Sequence, residues 1–263
     1  NLDDGERNLL TQIFRFFTQA DIEVQDNYME RYGRVFKPTE IKMMLASFAN
    51  METIHIAAYA LLLETIGMPE AEFGAFMEYE AMRDKHDYMG RFGVDTEADI
   101  CRTLAMFGGF AEGLQLFASF AMLMNFPRQS KMKGMGQIVS WSVRDESLHC
   151  EGIIKLYHAF NKETGAVTRS VADDIVQCCE TVVGLEDKFI DLAFEAGEVQ
   201  VLEGRKEPGQ RRAFCTLAGA VITAFVSLAG RGCILLLQPD AGSLAGQRQR
   251  LAVGLPPVSG QYL

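Results

Sequence analysis

The stretch NMETIHIAAYALLLE, residues 50–64, decides the fold. It is mostly apolar, as a buried helix should be, yet it carries Glu52, His55 and Tyr59. Side chains three, four or seven positions apart lie on one face of a helix. Buried charged groups are unfavourable unless they are paired. The stretch therefore predicts a core helix that turns polar groups toward a shared internal site.

A second copy of the Glu-x-x-His spacing lies in WSVRDESLHCEG, as Glu146 and His149. A single such motif is usually a pair satisfied by a neighbouring Arg or carbonyl. Two of them in apolar helices would bury two carboxylates, at a penalty on the order of several kcal/mol unless positive charge compensates. A pair of divalent cations is the simplest compensation. The two motifs together therefore predict a dinuclear metal site.

Such a site needs further oxygen ligands. In known ferritin-like di-iron proteins two more helices each supply one Glu, and this general pattern guides the search. Glu112 is the one charged residue in the apolar stretch 103–127. The first helix offers three acids, of which Asp21 continues the apolar face only slightly better than Glu23; the set is Asp21, Glu23 and Asp26.

Helical periodicity dominates the chain up to about residue 197, and no run of alternating β-branched residues competes with it. Several predicted helices exceed 20 residues, which favours a bundle. The fold class is therefore predicted as all-α, a ferritin-like helical bundle with a dinuclear metal site in its core. The predicted helices span 6–32, 37–67, 70–92, 95–126, 131–165 and 168–197.

Composition narrows the class of partner and the compartment. The 263 residues include 25 basic and 35 acidic ones, a net charge of −10, so no nucleic-acid partner is expected. The six cysteines form no C-x-x-C pair, which indicates reduced thiols in a cytoplasmic protein. The polar start NLDDGERNLL is typical of neither a signal peptide nor a transit peptide. It lacks Met, which is consistent with a start inside a longer protein.

The last part of the chain has a different composition. Residues 208–263 contain one acid, Asp240, and residues 213–230 carry no charge. That uncharged run is at the lower limit of a membrane-spanning length and is only weakly hydrophobic. A buried helix, or a segment not native to this fold, is favoured over a membrane helix.

Three segments, ETIHIAAY, FAEGLQLFASFA and VRDESLHCEG, resemble the small, radical-generating subunit of class I ribonucleotide reductase over about residues 8–200. Their order, spacing and flanking residues agree with that family. The resemblance selects Asp21 over Glu23 and implies two Fe ions, two Mn ions or a mixed Mn/Fe pair. The implied metal ligands are Asp21, Glu52, His55, Glu112, Glu146 and His149.

The resemblance also implies roles around the metals. Tyr59 would be oxidised to a stable radical inside a cage that includes Phe120 and Leu116. Asp145 would hydrogen-bond His55 and help carry an electron and a proton toward the large subunit, the partner of this family. The alternatives are a packed core tyrosine for Tyr59, ordinary core residues for Phe120 and Leu116, and a solvated charge for Asp145.

The implied function is that of the small subunit of ribonucleoside-diphosphate reductase. Its dinuclear centre would activate O2 and oxidise Tyr59, and a separate large subunit would use the radical to make deoxyribonucleotides. A cytoplasmic homodimer is implied, with no membrane expected. The alternatives are an R2-like ligand-binding oxidase or other di-iron oxidase, which Asp21 disfavours, a non-catalytic metal-storing bundle, and a membrane-anchored helical protein.

Two departures from the family accompany this interpretation. The family has a tryptophan upstream of its first ligand, whereas the single tryptophan here, Trp141, lies elsewhere. The resemblance also stops near residue 203. The chain is therefore predicted to consist of a bundle, residues 1–207, and a divergent segment, residues 208–263, for which a translated frameshift is the working hypothesis.

Overall fold

The structure is a computed structural model that describes residues 2–68 and 77–195, and within these ranges every regular element is a helix. The all-α prediction is therefore confirmed for the described part of the chain. The elements are α1 (Asp4–Asp26), π1 (Asn27–Tyr32), α2 (Gly33–Val35), α3 (Thr39–Thr65), α4 (Glu80–Met89), α5 (Glu97–Leu104), π2 (Ala105–Gln115), α6 (Leu116–Leu123), α7 (Asn125–Arg128), α8 (Lys133–Thr164) and α9 (Arg169–Glu195).

Local sequence explains where several helices begin and end. Asp3 caps α1, because its carboxylate accepts from the backbone N–H of Glu6 at 2.8 Å while the Glu6 carboxylate accepts from the Asp3 N–H at 3.1 Å. Thr96 and Asp99 cap α5 in the same way. Gly165 ends α8 with a φ of 66°, a conformation that glycine adopts without strain.

The structure departs from the predicted helices in three places. The helix predicted over 6–32 is α-helical only to Asp26, continues as π1 and extends through α2 to Val35. The helix predicted over 95–126 is continuous from α5 through α6 but contains the wider π2 segment, and Pro127 lies within the short α7. In the predicted helix 70–92, the described α-helix covers only Glu80–Met89. Residues 69–76 lie outside the described part.

Helix α8 approaches π2 and α3 closely, each at one glycine. A Cβ on Gly108 of π2 would collide with Ile153, and one on Gly152 would lie 2.8 Å from the Phe48 ring of α3. Distances this short exclude a side chain unless the packing shifts. The glycines therefore allow α8 to lie against both π2 and α3, the elements that carry most of the polar core.

Buried hydrophobic residues form two clusters. The first includes Phe14, Phe17 and Tyr59, and the second includes Tyr28 and Phe48. The helix over residues 97–128 contains an 18-residue window apolar enough to cross a membrane, with a mean hydropathy of 1.3, but 83% of that window is buried inside the protein. This segment is therefore a core helix of the bundle. The uncharged run 213–230 lies outside the described residues.

Among residues 2–68 and 77–195, an ion pair lies completely buried away from the predicted site. Lys85 Nζ of α4 lies 2.6 Å from Glu186 Oε2 of α9 and 3.5 Å from the centre of the Phe16 ring. Burial lowers the pKa of Lys85 and raises the pKa of Glu186. The pair joins α4 to α9, and the aromatic face provides part of the solvation that the ammonium loses.

No disulfide joins the four cysteines of the described ranges, Cys101, Cys150, Cys178 and Cys179. The reduced state of the thiols stays a prediction from the sequence. Cys215 and Cys233 lie outside the described residues.

Candidate metal centre

Six polar side chains from four elements meet in the core, and each is at most 4% exposed. Their ligand atoms form two groups, within each of which the atoms lie within 4.8 Å of one another. One group is Asp21, Glu52 and His55, and the other is Glu52, Glu112, Glu146 and His149. The structure thus brings together all six residues that the resemblance selected as ligands.

Glu52 lies between the two imidazoles. Its Oε2 is 3.4 Å from Nδ1 of His55, and its Oε1 is 2.9 Å from Nδ1 of His149. Glu146 of α8 also lies between the two imidazoles. Its Oε1 is 3.0 Å from Nδ1 of His55, and its Oε2 is 3.3 Å from Nδ1 of His149. Both carboxylates therefore span the cluster, as ligands shared by two cations would.

The remaining two carboxylates each belong to one half of the cluster. Asp21 groups with Glu52 and His55. Glu112 Oε1 lies 3.3 Å from Nδ1 of His149. The arrangement divides into two half-sites, each with one imidazole and one carboxylate of its own, joined by the two spanning glutamates.

Glu23, the alternative to Asp21, points elsewhere. It pairs with Nδ1 of His86 on α4, and its side chain is 16% exposed. Asp21 is 1% exposed and lies in the cluster. The fold therefore separates two acids that the sequence pattern left nearly equal.

The outer nitrogens of the two imidazoles have different neighbours. Nε2 of His55 lies 3.4 Å from Oδ2 of Asp145, whose other oxygen pairs with Arg144 at 2.8 Å. Nε2 of His149 lies 3.2 Å from the Met51 sulfur. An acceptor at Nε2 keeps the proton there and leaves Nδ1 free to bind a cation.

The pKa values in the cluster reflect crowded buried charge. Burial, followed by repulsion from Glu52 and Glu146, raises the pKa of Asp21 well above its ordinary value. Burial also raises the pKa of Glu112. Burial alone would lower the pKa of both histidines, but hydrogen bonds to the glutamates raise it to about 11 for His55 and about 12 for His149.

The donor set fits a pair of cations. Each of the four carboxylates has one buried oxygen that no hydrogen-bond donor in the described part of the chain satisfies: Asp21 Oδ2, Glu52 Oε1, Glu112 Oε2 and Glu146 Oε2. Two of these oxygens are close to His149 Nδ1, but one N–H cannot point at three carboxylates at once. Unsatisfied buried oxygens are unfavourable, and metal coordination would satisfy them.

Tyr59 lies next to this cluster, 1% exposed, with its ring centre 6.4 Å from that of His55. The rings of Phe14 and Phe17 pack on it at centroid distances of 6.0 and 4.8 Å. Burial, followed by the charge of Asp21, raises the pKa of its phenol well above the ordinary value.

The two predicted cage residues lie in the same hydrophobic cluster as Tyr59. Phe120 packs edge-on against Phe17 at 5.1 Å, and Phe17 contacts Tyr59. Leu116 is buried in the cluster as well. The side chains near Tyr59 are therefore mainly apolar.

Two hydrogen bonds that tyrosine hydroxyls donate at the site were not predicted from the sequence. The Tyr28 hydroxyl donates to Oε1 of Glu112 at 2.5 Å, and the Tyr59 hydroxyl donates to Oγ of Ser142 at 2.7 Å. Tyr28 is seven positions after Asp21, and Ser142 is four before Glu146. Helical spacing from a ligand was the signal available for both.

A helical bundle whose core gathers four carboxylates and two imidazoles defines the class of ferritin-like carboxylate proteins with a dinuclear metal centre. The family described as "Ribonucleotide reductase, small chain" matches residues 1–207. The chain belongs to this family, as the three quoted segments predicted.

Curated proteins with similar sequences carry names from the same family. The chain is 43% identical over 213 residues to a probable ribonucleoside-diphosphate reductase small subunit of Invertebrate iridescent virus 6, covering 74% of this chain and 59% of the relative. It is 26% identical over 202 residues to the ribonucleoside-diphosphate reductase subunit beta of Chlamydia pneumoniae, covering 72% and 58%. The chain thus spans less than two thirds of the length of these relatives.

Solved structures share the fold. A putative class I ribonucleotide reductase from Bacillus halodurans superposes with a TM-score of 0.73 at 15% identity, covering 87% of this chain and 81% of that one. An R2-like ligand-binding oxidase with an Mn/Fe cofactor gives 0.64 at 12% identity, covering 85% and 81%. These similarities confirm the ferritin-like bundle.

Proposed function

We propose that this chain is the radical-generating small subunit of a ribonucleoside-diphosphate reductase. The observation that carries the proposal is the buried phenol of Tyr59 beside a cluster of four carboxylates and two imidazoles. Membership of the small-chain family supports it. The substrate chemistry, reduction of ribonucleotides, would take place on a separate large subunit.

We propose that Asp21, Glu52, His55, Glu112, Glu146 and His149 hold the two metal ions. Mixed carboxylate and imidazole ligands suit Fe, Mn or a mixed Mn/Fe pair. When bound, the metal pair would supply, together with O2, the oxidising power for a one-electron oxidation of Tyr59. Glu52 and Glu146 would be shared ligands, because each presents a different oxygen to each imidazole.

The residues around Tyr59 suit a radical. The raised pKa keeps the phenol protonated, so its proton must leave together with the electron. In the structure that proton points from Oη of Tyr59 toward Ser142. The surrounding aromatic rings, with Phe120 and Leu116 as further cage residues, would exclude water and reductants from the phenoxyl oxygen.

Asp145 is proposed as the link between the metal site and the large subunit. Its carboxylate lies between the buried His55 ring and the guanidinium of Arg144, whose side chain is 72% exposed. Arg144 would hold the Asp145 carboxylate in place by its ion pair, because a guanidinium does not give up its proton. An electron and a proton could pass between His55 and Asp145 without crossing the apolar core.

Further parts of the proposal concern assembly and location. We propose a homodimer that uses exposed apolar residues of α3, namely Met43, Ile54 and Leu61. Positions 43, 54 and 61 fall on one helix face. We also propose a reducing, cytoplasmic location, in keeping with the cysteine spacing of the sequence.

The last part of the chain is a separate proposal. Residues 1–207 would form the bundle, and residues 208–263 would be a divergent segment that arose by a frameshift. Resequencing the coding region across residues 195–215 tests this. An uninterrupted reading frame, reproduced from independent isolates, would contradict it.

Electron paramagnetic resonance after addition of Fe(II) or Mn(II) and O2 tests the function. We expect a tyrosyl radical that disappears in Tyr59→Phe, with two metals still bound, and persists in Tyr88→Phe. Tyr88 of α4 packs against Phe92 and serves as the matched control. Two bound metals without a Tyr59 radical would contradict the proposal and favour the second candidate, an oxidase or a metal-storing bundle.

A further inference from the structure

We propose that Ser142 is a positioning residue for Tyr59: its hydroxyl hydrogen-bonds the phenol before oxidation and the phenoxyl radical afterwards. The inference deepens the proposed function and rests on it. One side chain of α8 would then determine whether the radical is hydrogen-bonded, and through that bond how long the radical lasts.

The geometry gives Ser142 this position. Its Oγ accepts the Tyr59 hydroxyl at 2.7 Å, and the two residues are 2% and 1% exposed. Ser142 lies one helical turn before Glu146, so it faces the site from the same side of α8 as that carboxylate. Bulk water does not reach either oxygen, so the contact has no solvent competitor.

The remaining neighbours of the phenol make this contact conspicuous. Phe14 and Phe17 pack on the Tyr59 ring, and Phe120 packs behind Phe17. Rings of this kind offer no strong hydrogen-bond acceptor for a phenol. Ser142 is thus the side chain that hydrogen-bonds the phenol, beside a wall of aromatic rings and at the atom whose bonding changes in the reaction.

A hydroxyl is suited to both states of Tyr59. When the phenol gives up one electron and one proton, its oxygen changes from a donor to an acceptor. A serine hydroxyl can accept one bond and donate another, and its hydrogen rotates freely, whereas an ionised carboxylate can only accept. Ser142 is neutral and does not keep the proton. In the proposed reaction the proton would pass to a carboxylate of the cluster, and the electron would pass to O2 by way of the metal pair.

The test compares wild-type protein with Ser142→Ala, Ser142→Thr and the control Ser140→Ala. Ser140 is an exposed serine of the same helix whose hydroxyl donates to the Gly136 carbonyl. Circular dichroism and thermal unfolding of each variant establish that it folds. Ser142→Thr keeps the hydroxyl and should restore whatever Ser142→Ala loses.

Two spectroscopic measurements report on the bond. Ultraviolet resonance Raman spectra of the metal-free protein should show a changed tyrosine ring doublet in Ser142→Ala alone. High-field electron paramagnetic resonance and electron–nuclear double resonance in D2O should show an exchangeable deuteron on the radical in wild type and Ser142→Thr. In Ser142→Ala this coupling should vanish, gx should rise, and the radical should decay about fivefold faster, the factor equivalent to a bond of about 1 kcal/mol.

The outcomes separate the two proposals. A wild-type protein that binds two metals yet forms no tyrosyl radical overturns the proposed function, and this inference with it. A radical with the same gx in wild type and Ser142→Ala, and no exchangeable deuteron in either, overturns the role of Ser142 and leaves the proposed function intact.

Discussion

Nε2 of His55 lies 3.4 Å from Oδ2 of Asp145, while Nδ1 of the same ring lies 3.0 Å from Oε1 of Glu146. The imidazole is therefore held between one carboxylate inside the cluster and one outside it. An outer carboxylate orients a ligand imidazole and increases its basicity. The relationship connects an imidazole of the buried cluster to a side chain nearer the surface.

Replacing Asp145 should weaken metal binding without removing a ligand. We expect Asp145→Asn to lower metal affinity about 10–100-fold, because the amide no longer provides the charge that favours the ligating tautomer. Chelator competition titrations measure this. Asp173→Asn, at an exposed position of α9, is the matched control and should leave affinity unchanged. Equal affinity in Asp145→Asn and wild type would contradict the role.

The division into half-sites predicts different metal stoichiometries. Glu112→Ala should reduce two metals per chain to one, because Glu112 belongs only to the half-site of His149. Glu52→Ala should reduce binding at both half-sites, since Glu52 belongs to both groups. Elemental analysis after desalting measures this, with the exposed Glu40→Ala as control. Identical stoichiometries for the two site variants would be inconsistent with a shared ligand.

Tyr28 should stabilise the metal-free site. Tyr28→Phe removes the hydroxyl that donates to Glu112 and leaves that buried oxygen with fewer donors. We expect the free energy of unfolding of the metal-free protein to fall by about 1–3 kcal/mol. Urea denaturation measures this, with Tyr88→Phe as a half-buried comparison. A loss no larger than that of the control would show that the bond contributes little.

The buried pair of Lys85 and Glu186 predicts a non-additive double variant. Lys85→Met alone should lower the free energy of unfolding by about 3–5 kcal/mol, because it leaves a buried carboxylate unpaired. Adding Glu186→Leu should recover most of that loss, since an apolar pair has no charge to desolvate. Urea denaturation of these two variants and of the single variant Glu186→Leu completes a double-mutant cycle. Additive losses would argue against coupling between the two residues.

The exposed face of α3 predicts the oligomeric state. Ile54→Glu should convert a dimer to a monomer, because it places a charge in the apolar stripe that also contains Met43 and Leu61. Sedimentation velocity measures the change. Gln137→Glu, at an exposed position on α8, is the control for added charge. A wild-type protein that is monomeric at all concentrations would disprove the dimer.

Sequence alone predicted the helices and much of the cluster, for a physical reason. An acid in an otherwise apolar helix, such as Glu112, is conspicuous because burial of charge is unfavourable. The pattern did not decide between Asp21 and Glu23, because that depends on the position of His86 on another helix. Ser142 and Tyr28 were missed for the same reason, since serine and tyrosine are common in helices and only tertiary contacts give them a role.

The π2 segment sets the relation between two halves of one long rod. Each residue of an α-helix turns the chain by about 100°. Deleting a single residue from π2, for example Gly109, would let its wider turns tighten to α-helical winding, and the tighter winding would offset most of the rotation that the lost residue contributed. A deletion within α5 or α6, which have no wider turn to tighten, would rotate the apolar faces of the two halves against each other by about 100°. A deletion within π2 therefore preserves the orientation of α5 relative to α6 better than a deletion on either side of it.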